Sequence, residues 1–193
     1  LNEILRIGQE TGRHEVAEAL VRRLRDRLDQ VRRRVADASA RPRLVCLEWF
    51  SPLMGCGHWV PEQVEWAGGR EMIGKAGAPS HVVEWRELVA ATPEVLILMP
   101  CGFSIARAKR ELPLLMAQEG WANLPAVRSR RAYLVDGPAY FNQSGPRLVE
   151  GVELLAGLIR PQACQEFVPA EAAERWDGLG VGAESFSSVC TIS

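Results

Sequence analysis

Residues 44–62, LVCLEWFSPLMGCGHWVPE, constrain this chain more than any other stretch. Leu44 to Leu47 is a short apolar run of the kind that forms a buried strand. A loop rich in Gly and Pro follows. From Val60 to Ala67 the pattern is helical, with Pro61 in the first turn and Gly68-Gly69 as the stop. Strand, loop and helix in that order make half of a parallel α/β unit. The same order recurs at Val95–Met99, a fully apolar run followed by Pro100-Cys101-Gly102-Phe103, and at Ala132–Asp136, followed by the exit loop Gly137–Gly145. Strands of this kind belong to a sheet covered on both faces. The expected fold is therefore α/β, a three-layer sandwich around a short, mostly parallel sheet.

Ahead of the first strand the period changes to that of a helix. Leu1 to Thr11 reads as a short helix stopped near Gly12. A long helix follows from Glu15 to about Ala38. Val16, Leu20, Leu24, Leu28, Val31 and Val35 recur at spacings of four and three and line one face. The opposite face carries Arg22, Arg23, Arg25, Arg32, Arg33 and Arg34. Residues 1–43 hold 11 Arg and 7 acidic residues, but the whole chain has a net charge of −1. Without interleaved aromatics or a nucleic-acid fold signature, this reads as a solvated helix face, not a nucleic-acid surface. No apolar run has the length of a membrane span. No signal peptide is visible, and the chain begins without Met. Further short elements are expected at Met72–Gly74 (strand) and Val83–Ala91 (helix). Pro113 should split the helix that Ser104 caps, and Pro146 should open the last long helix. From Gln162 onward the pattern weakens, and Gly178–Ser193 is rich in Gly and Ser.

In an open parallel sheet, ligands bind at the carboxyl ends of the strands. Three strand-end loops bring Trp49, Phe50, His58 and Trp59, then Cys101 and Phe103, then Tyr140 and Phe141 to that edge. A face of that composition suits a flat, largely apolar ligand with a polar rim. Two other chemistries are open. Cys56, His58 and Cys101 could bind a metal, although the set is sparse and lacks a paired-Cys signature. Cys101 and Arg107 are spaced as Cys-x5-Arg between a strand and a helix, the arrangement of a thiolate attacking a bound phosphate. Pro100 before the Cys, the early Gly102 and Ala108 after the Arg depart from that pattern, which would use Asp136 as its acid. Five cysteines with no C-x-x-C pair do not read as a disulfide framework. Cys46, in a core strand, and Cys56, in a loop, are expected to remain free thiols with the rest.

Trp49-Phe50-Ser51-Pro52-Leu53, Gly57-His58-Trp59-Val60-Pro61-Glu62 and Ala67-Gly68-Gly69, then Thr92–Leu98, Trp121–Val127, Arg131–Asp136 and Gly145–Leu148, form an ordered set. That set resembles the C-terminal lobe of substrate-binding proteins of ABC importers for cobalamin and iron-siderophores. The pieces Gly-His-Trp-Val-Pro-Glu and Met-Pro-Cys-Gly-Phe look most like the cobalamin-binding members. The resemblance implies an interlobe helix over 1–40, one α/β lobe over 41–161 and a loose tail over 162–193. It implies a ligand-binding, non-enzymatic protein with no covalent cofactor, whose ligand is cobalamin, a related corrinoid or another metal chelate such as a ferric siderophore or haem. His58 could ligate the cobalt, and Tyr140 stands about where the best-known cobalamin binders carry a Trp. The partners implied are an ABC permease, docked through acids such as Glu62 and Glu65, and a second lobe preceding Leu1 or a second copy of the chain. The location implied is periplasmic or extracytoplasmic. No nucleic acid is implied.

Overall fold

The computed structural model describes residues 1–36 and 40–176. The chain opens with α1 (Asn2–Glu10) and α2 (His14–Ala36). The lobe then runs β1 (Arg43–Phe50), β2 (Leu53–Gly55), α3 (Val60–Trp66), β3 (Arg70–Glu71), β4 (His81–Val82), α4 (Trp85–Ala90), β5 (Val95–Leu98), α5 (Ile105–Glu111), α6 (Pro113–Met116), α7 (Pro125–Arg128), β6 (Ala132–Val135), α8 (Gly137–Tyr140), α9 (Leu148–Ile159), α10 (Pro161–Cys164) and β7 (Ala173–Trp176). One sheet joins the strands in the order β4-β2-β1-β5-β6-β7, with β3 also paired to β1. β1, β5 and β6 are mutually parallel, and β3 is parallel to β1. β2, β4 and β7 run antiparallel to their neighbours.

Strand alternation divides the core in two. Leu44, Cys46, Val95, Ile97, Tyr133 and Val135 face one layer, where they meet Val31 of α2, Val60 and Val64 of α3, and Val152 and Leu155 of α9. Val45, Leu47, Leu96, Leu98, Ala132 and Leu134 face the other, under Leu88, Ala108, Leu115, Trp121 and Ala126. These are the three layers expected from the sequence. Most central strand residues are inaccessible to solvent, so the runs are apolar on both faces.

The apolar stripe of α2 is divided along its length. Val31 is buried against the lobe, and Val21 and Leu24 are buried as well, so Leu24 is covered within the chain. Val16 is 63% exposed. A bidentate pair fastens the middle of the helix to α9, with Arg27 Nε donating to Glu153 Oε1 at 2.8 Å and Nη2 to Oε2 at 2.5 Å. The six arginines of the opposite face are exposed.

Several local expectations are corrected. The strand expected at Met72–Gly74 lies at Arg70–Glu71, because the Glu71 carboxylate accepts the N–H groups of Ile73 and Gly74 and turns the chain there. Leu53–Gly55, read as loop, is a strand folded back on β1. His81–Val82 pairs with it, which delays the next helix to Trp85, where Glu84 and Glu87 form a capping box. Gly137–Tyr140 is a turn of helix, N-capped by Asp136. Residues 162–176 are not a loose tail. Ala173–Trp176 adds a strand to β6, and Trp176 packs edge-on against Trp121, with ring centroids 5.5 Å apart. The Gly- and Ser-rich segment from Gly178 onward lies outside the described residues.

Candidate functional site

The three strand-end loops meet at one edge, and specific contacts hold them there. Cys101 N–H donates to the Glu48 carbonyl at 3.0 Å, tying the loop after β5 to β1. The Trp49 and Phe103 rings meet edge to face, 4.9 Å between centroids. Trp59 Nε1 donates to the Phe141 carbonyl at 2.8 Å, tying α3 to the loop after β6. Gly137 lies so close to the chain leaving β5 that a Cβ on it would sit 2.8 Å from the Met99 carbonyl oxygen.

Those contacts sort the eight aromatic, imidazole and thiol side chains expected at the face. Phe50, Phe103 and Phe141 are buried in the two core layers and support the face from beneath, so the expectation that they line it is corrected. Their rings are apolar throughout, and the cores on either side of the sheet have room for them. Trp49, Trp59 and Tyr140 are half-buried, and His58 and Cys101 are exposed. Each tryptophan has its indole N–H bonded to a backbone carbonyl, Trp49 to Ser51 and Trp59 to Phe141, which leaves ring surface facing out. His58 has φ of +54°, a backbone conformation that non-glycine residues rarely adopt. Two short backbone bonds hold it there, His58 N–H to the Ala78 carbonyl at 2.6 Å and Gly77 N–H to the His58 carbonyl at 2.7 Å. Its imidazole lies 5.8 Å from the Trp59 ring.

Sequence reasoning missed Arg147 and read Arg107 only as part of the Cys-x5-Arg spacing. Arg147 stands over the Tyr140 ring at 5.2 Å, and Glu150, which accepts its Nε–H at 3.1 Å, raises the pKa of its guanidinium. Arg107 lies 3.7 Å over Phe103. A Pro-to-Arg spacing such as Pro146-Arg147 carries no signal that the guanidinium will fold back on an aromatic seven residues upstream. Of three cavities of about 450, 320 and 330 Å³, none is lined by Trp49, Cys101 or Tyr140. The second, between α1, α2, α3 and α9, reaches Trp59 from behind.

The metal set expected from sequence, Cys56, His58 and Cys101, is not brought together. Cys56 is buried while His58 and Cys101 are exposed. Among the described residues the group whose ligand atoms converge is Cys46, Cys56 and Glu71, within 4.8 Å of one another. The geometry also argues against a phosphatase loop. Arg107 is engaged with the Phe103 ring and with Glu111 at 3.6 Å. Partial desolvation by the surrounding loop, and then the Glu48 charge, push the thiol of the otherwise exposed Cys101 up, the reverse of what a nucleophilic thiolate needs.

Known proteins share this fold. An uncharacterised ABC transporter substrate-binding lipoprotein of Bacillus subtilis (strain 168), YvrC, is 30% identical over 96 residues, which is 50% of this chain and 30% of that protein. The fold matches an ABC transporter substrate-binding protein from Listeria monocytogenes EGD-e with a TM-score of 0.73 at 20% identity, covering 83% of this chain and 63% of that one. It matches a periplasmic heme-binding protein from Pseudomonas aeruginosa at 0.70 and 21%, covering 84% and 59%, and S. aureus IsdE complexed with heme at 0.72 and 15%, covering 82% and 63%. The chain thus spans less than two thirds of the length of each, and its sheet with flanking helices corresponds to one lobe of such a protein. Among the described residues no helix is long and apolar enough to cross a membrane. The family model described as "Periplasmic binding protein" matches residues 1–139, most of the chain, and the chain belongs to that family.

Proposed function

We propose that this chain provides the connecting helices and one ligand-binding lobe of the extracytoplasmic component of an ABC importer, and that its strand-end face takes a metal tetrapyrrole, a corrinoid such as cobalamin. The observation that carries this reading is the rim of Trp49, His58, Trp59 and Tyr140, whose outward ring surfaces come from loops locked to one another by Trp49–Phe103 and Trp59–Phe141 contacts. Rigid amphipathic rings bury much ligand area at small entropic cost, and a macrocycle edged with amides needs the donors that surround them. His58 offers an imidazole to the metal, and Arg147 a positive charge to a phosphate or carboxylate on the ligand edge. Glu62 and Glu65 are exposed on α3 and are the acids we assign to docking on the permease.

Haem or a ferric siderophore is the second reading. Two of the similar structures are described as binding heme. The phenol of Tyr140 and the imidazole of His58 are both donors that ferric iron accepts. Titrating cyanocobalamin, haemin and a ferric catecholate siderophore side by side, following tryptophan quenching, separates these. Cobalamin is expected to quench at the lowest concentration, and His58→Ala to alter its visible spectrum. Tighter binding of haemin would favour the second reading. No quenching by any of the three at millimolar concentration, with the circular dichroism of the folded chain intact, would overturn both.

A further inference from the structure

Strand β1 has an interrupted outer edge. At Arg43 and Leu44 it pairs with β3, and from Leu47 to Phe50 it pairs with β2, which runs the other way. Cys46 falls in the gap between the two partners. Its N–H donates to Glu71 Oε2 at 3.2 Å, where a neighbouring strand would have offered a carbonyl. Its carbonyl accepts the N–H of Cys56 at 3.0 Å, one step beyond the Leu47–Gly55 pair. Cys46 and Cys56 thus lie across from each other at the base of the β1–β2 hairpin. Both side chains enter the same core layer, both are fully buried and both carry free thiols in the structure. Their sulfurs and a Glu71 oxygen lie within 4.8 Å of one another. Gly74 is pressed against the pair, since a Cβ there would sit 2.6 Å from the Cys56 sulfur.

We infer that Cys46 and Cys56 are a disulfide site, closed when the protein meets a disulfide-bearing oxidant such as a protein dithiol oxidase or oxidised glutathione. A structural metal is less well served. A closed zinc site takes four ligands, and among the described residues only three converge. Glu71 already accepts three backbone N–H groups, from Cys46, Ile73 and Gly74. Facing residues on paired antiparallel strands have the Cα separation that a disulfide spans. In the exchange, one cysteine thiolate attacks the oxidant's S–S bond and releases one oxidant thiol. The second thiolate then attacks the mixed disulfide, forms the Cys46–Cys56 bond and releases the other. Two protons leave the pair, and its two electrons leave with the reduced oxidant. Both thiols are pushed up once packed, Cys46 by its hydrogen bond with Cys56, burial and the Glu71 charge, and Cys56 by burial and the Glu71 and Glu48 charges in spite of the Cys46 hydrogen bond, which lowers it, so the exchange belongs to the chain before the hairpin closes or to its local opening. The bond would pin the hairpin that carries Trp49 and the segment that leads into His58 and Trp59.

The test needs no ligand and stands apart from the functional reading. Arg43 and Arg70 flank both cysteines, and no Lys or Arg lies between them, so trypsin releases both on the peptide 44–70. Reduced, unfolded protein is refolded in a buffer of oxidised and reduced glutathione, and the monomer is collected. It is then denatured, alkylated without reductant and digested. The expected peptide is unalkylated and two hydrogens lighter than its thiol form, and it takes two alkyl groups only after reduction, while the Cys101 peptide is alkylated throughout. The oxidised monomer should also unfold at higher urea than the reduced one, a difference that Cys56→Ser abolishes. Two alkyl groups on peptide 44–70 without reduction, or Cys46 or Cys56 cross-linked to another peptide, would overturn the proposal.

Discussion

Glu71 shows how one side chain can replace a missing strand. Desolvation of its carboxylate outweighs the backbone hydrogen bonds that favour its charge, so its pKa is raised. A carboxyl raised on folding binds protons in the native state that the unfolded chain has already released. Stability therefore falls as pH rises from the ordinary carboxylate range through the folded pKa, and is regained on acidification across that window. Glu71→Gln should remove that slope. Urea midpoints for both proteins at intervals between about pH 4 and 7 check it, and parallel pH profiles would contradict the assignment. Trp59 is the second residue whose role is set by one bond. Trp59→Phe keeps an aromatic ring but leaves the Phe141 carbonyl without its donor, an expected loss of about 1 kcal/mol in unfolding free energy. A loss within error of zero would mean that water replaces the indole N–H. At this scale the sequence was informative about residue type and uninformative about exposure. Phe50 and Trp49 are adjacent in one strand and pack on the same core layer, yet Phe50 is buried and Trp49 is half-buried, at the place where the pairing of β1 with β2 is irregular.

Among the elements, α2 and α9 are joined by a pair that can be measured. Arg27 and Glu153 are 31% and 13% exposed and make two parallel hydrogen bonds. Bidentate geometry and partial burial place their coupling at the upper end of what partly exposed pairs contribute, about 1 kcal/mol. A double-mutant cycle with Arg27→Ala and Glu153→Ala measures it, and additive single losses would show that the pair contributes nothing beyond its separate packing. Helix α2 was legible from its apolar spacing, and α3 and α9 from the prolines at their starts, Pro61 and Pro146. The short strands β2, β3 and β4 were not. With two or three residues each, they show no period, and what makes them strands is the partner edge they lie on.

For the whole molecule, β7 is the last strand among the described residues. Ala173 closes one core layer, Trp176 covers Trp121 in the other, and Lys109 reaches across to pair with Glu174. A stop codon after Val168 should therefore lower the urea midpoint markedly and expose the edge of β6 to association, seen as oligomers in size-exclusion chromatography. An unchanged midpoint and a monomeric elution would show that β7 is an accessory. Ile7 and Val16, 59% and 63% exposed on the α1–α2 hairpin, are further apolar surface.

The three-layer lobe and its lead-in helix were determined by the sequence itself. Continuous apolar runs, which mark strands buried on both faces, and stripes at spacings of four and three are local patterns, and each reports directly which surfaces of its own element are apolar. Which rings of the binding face meet solvent, and which cysteines meet each other, only the tertiary structure decided. Trp49 is positioned by Phe103, Trp59 by Phe141, and Cys46 and Cys56 by the gap that Glu71 fills. Each of these outcomes depends on a partner outside the local pattern, brought near by the order of strands in the sheet, and no window of sequence around either residue contains it.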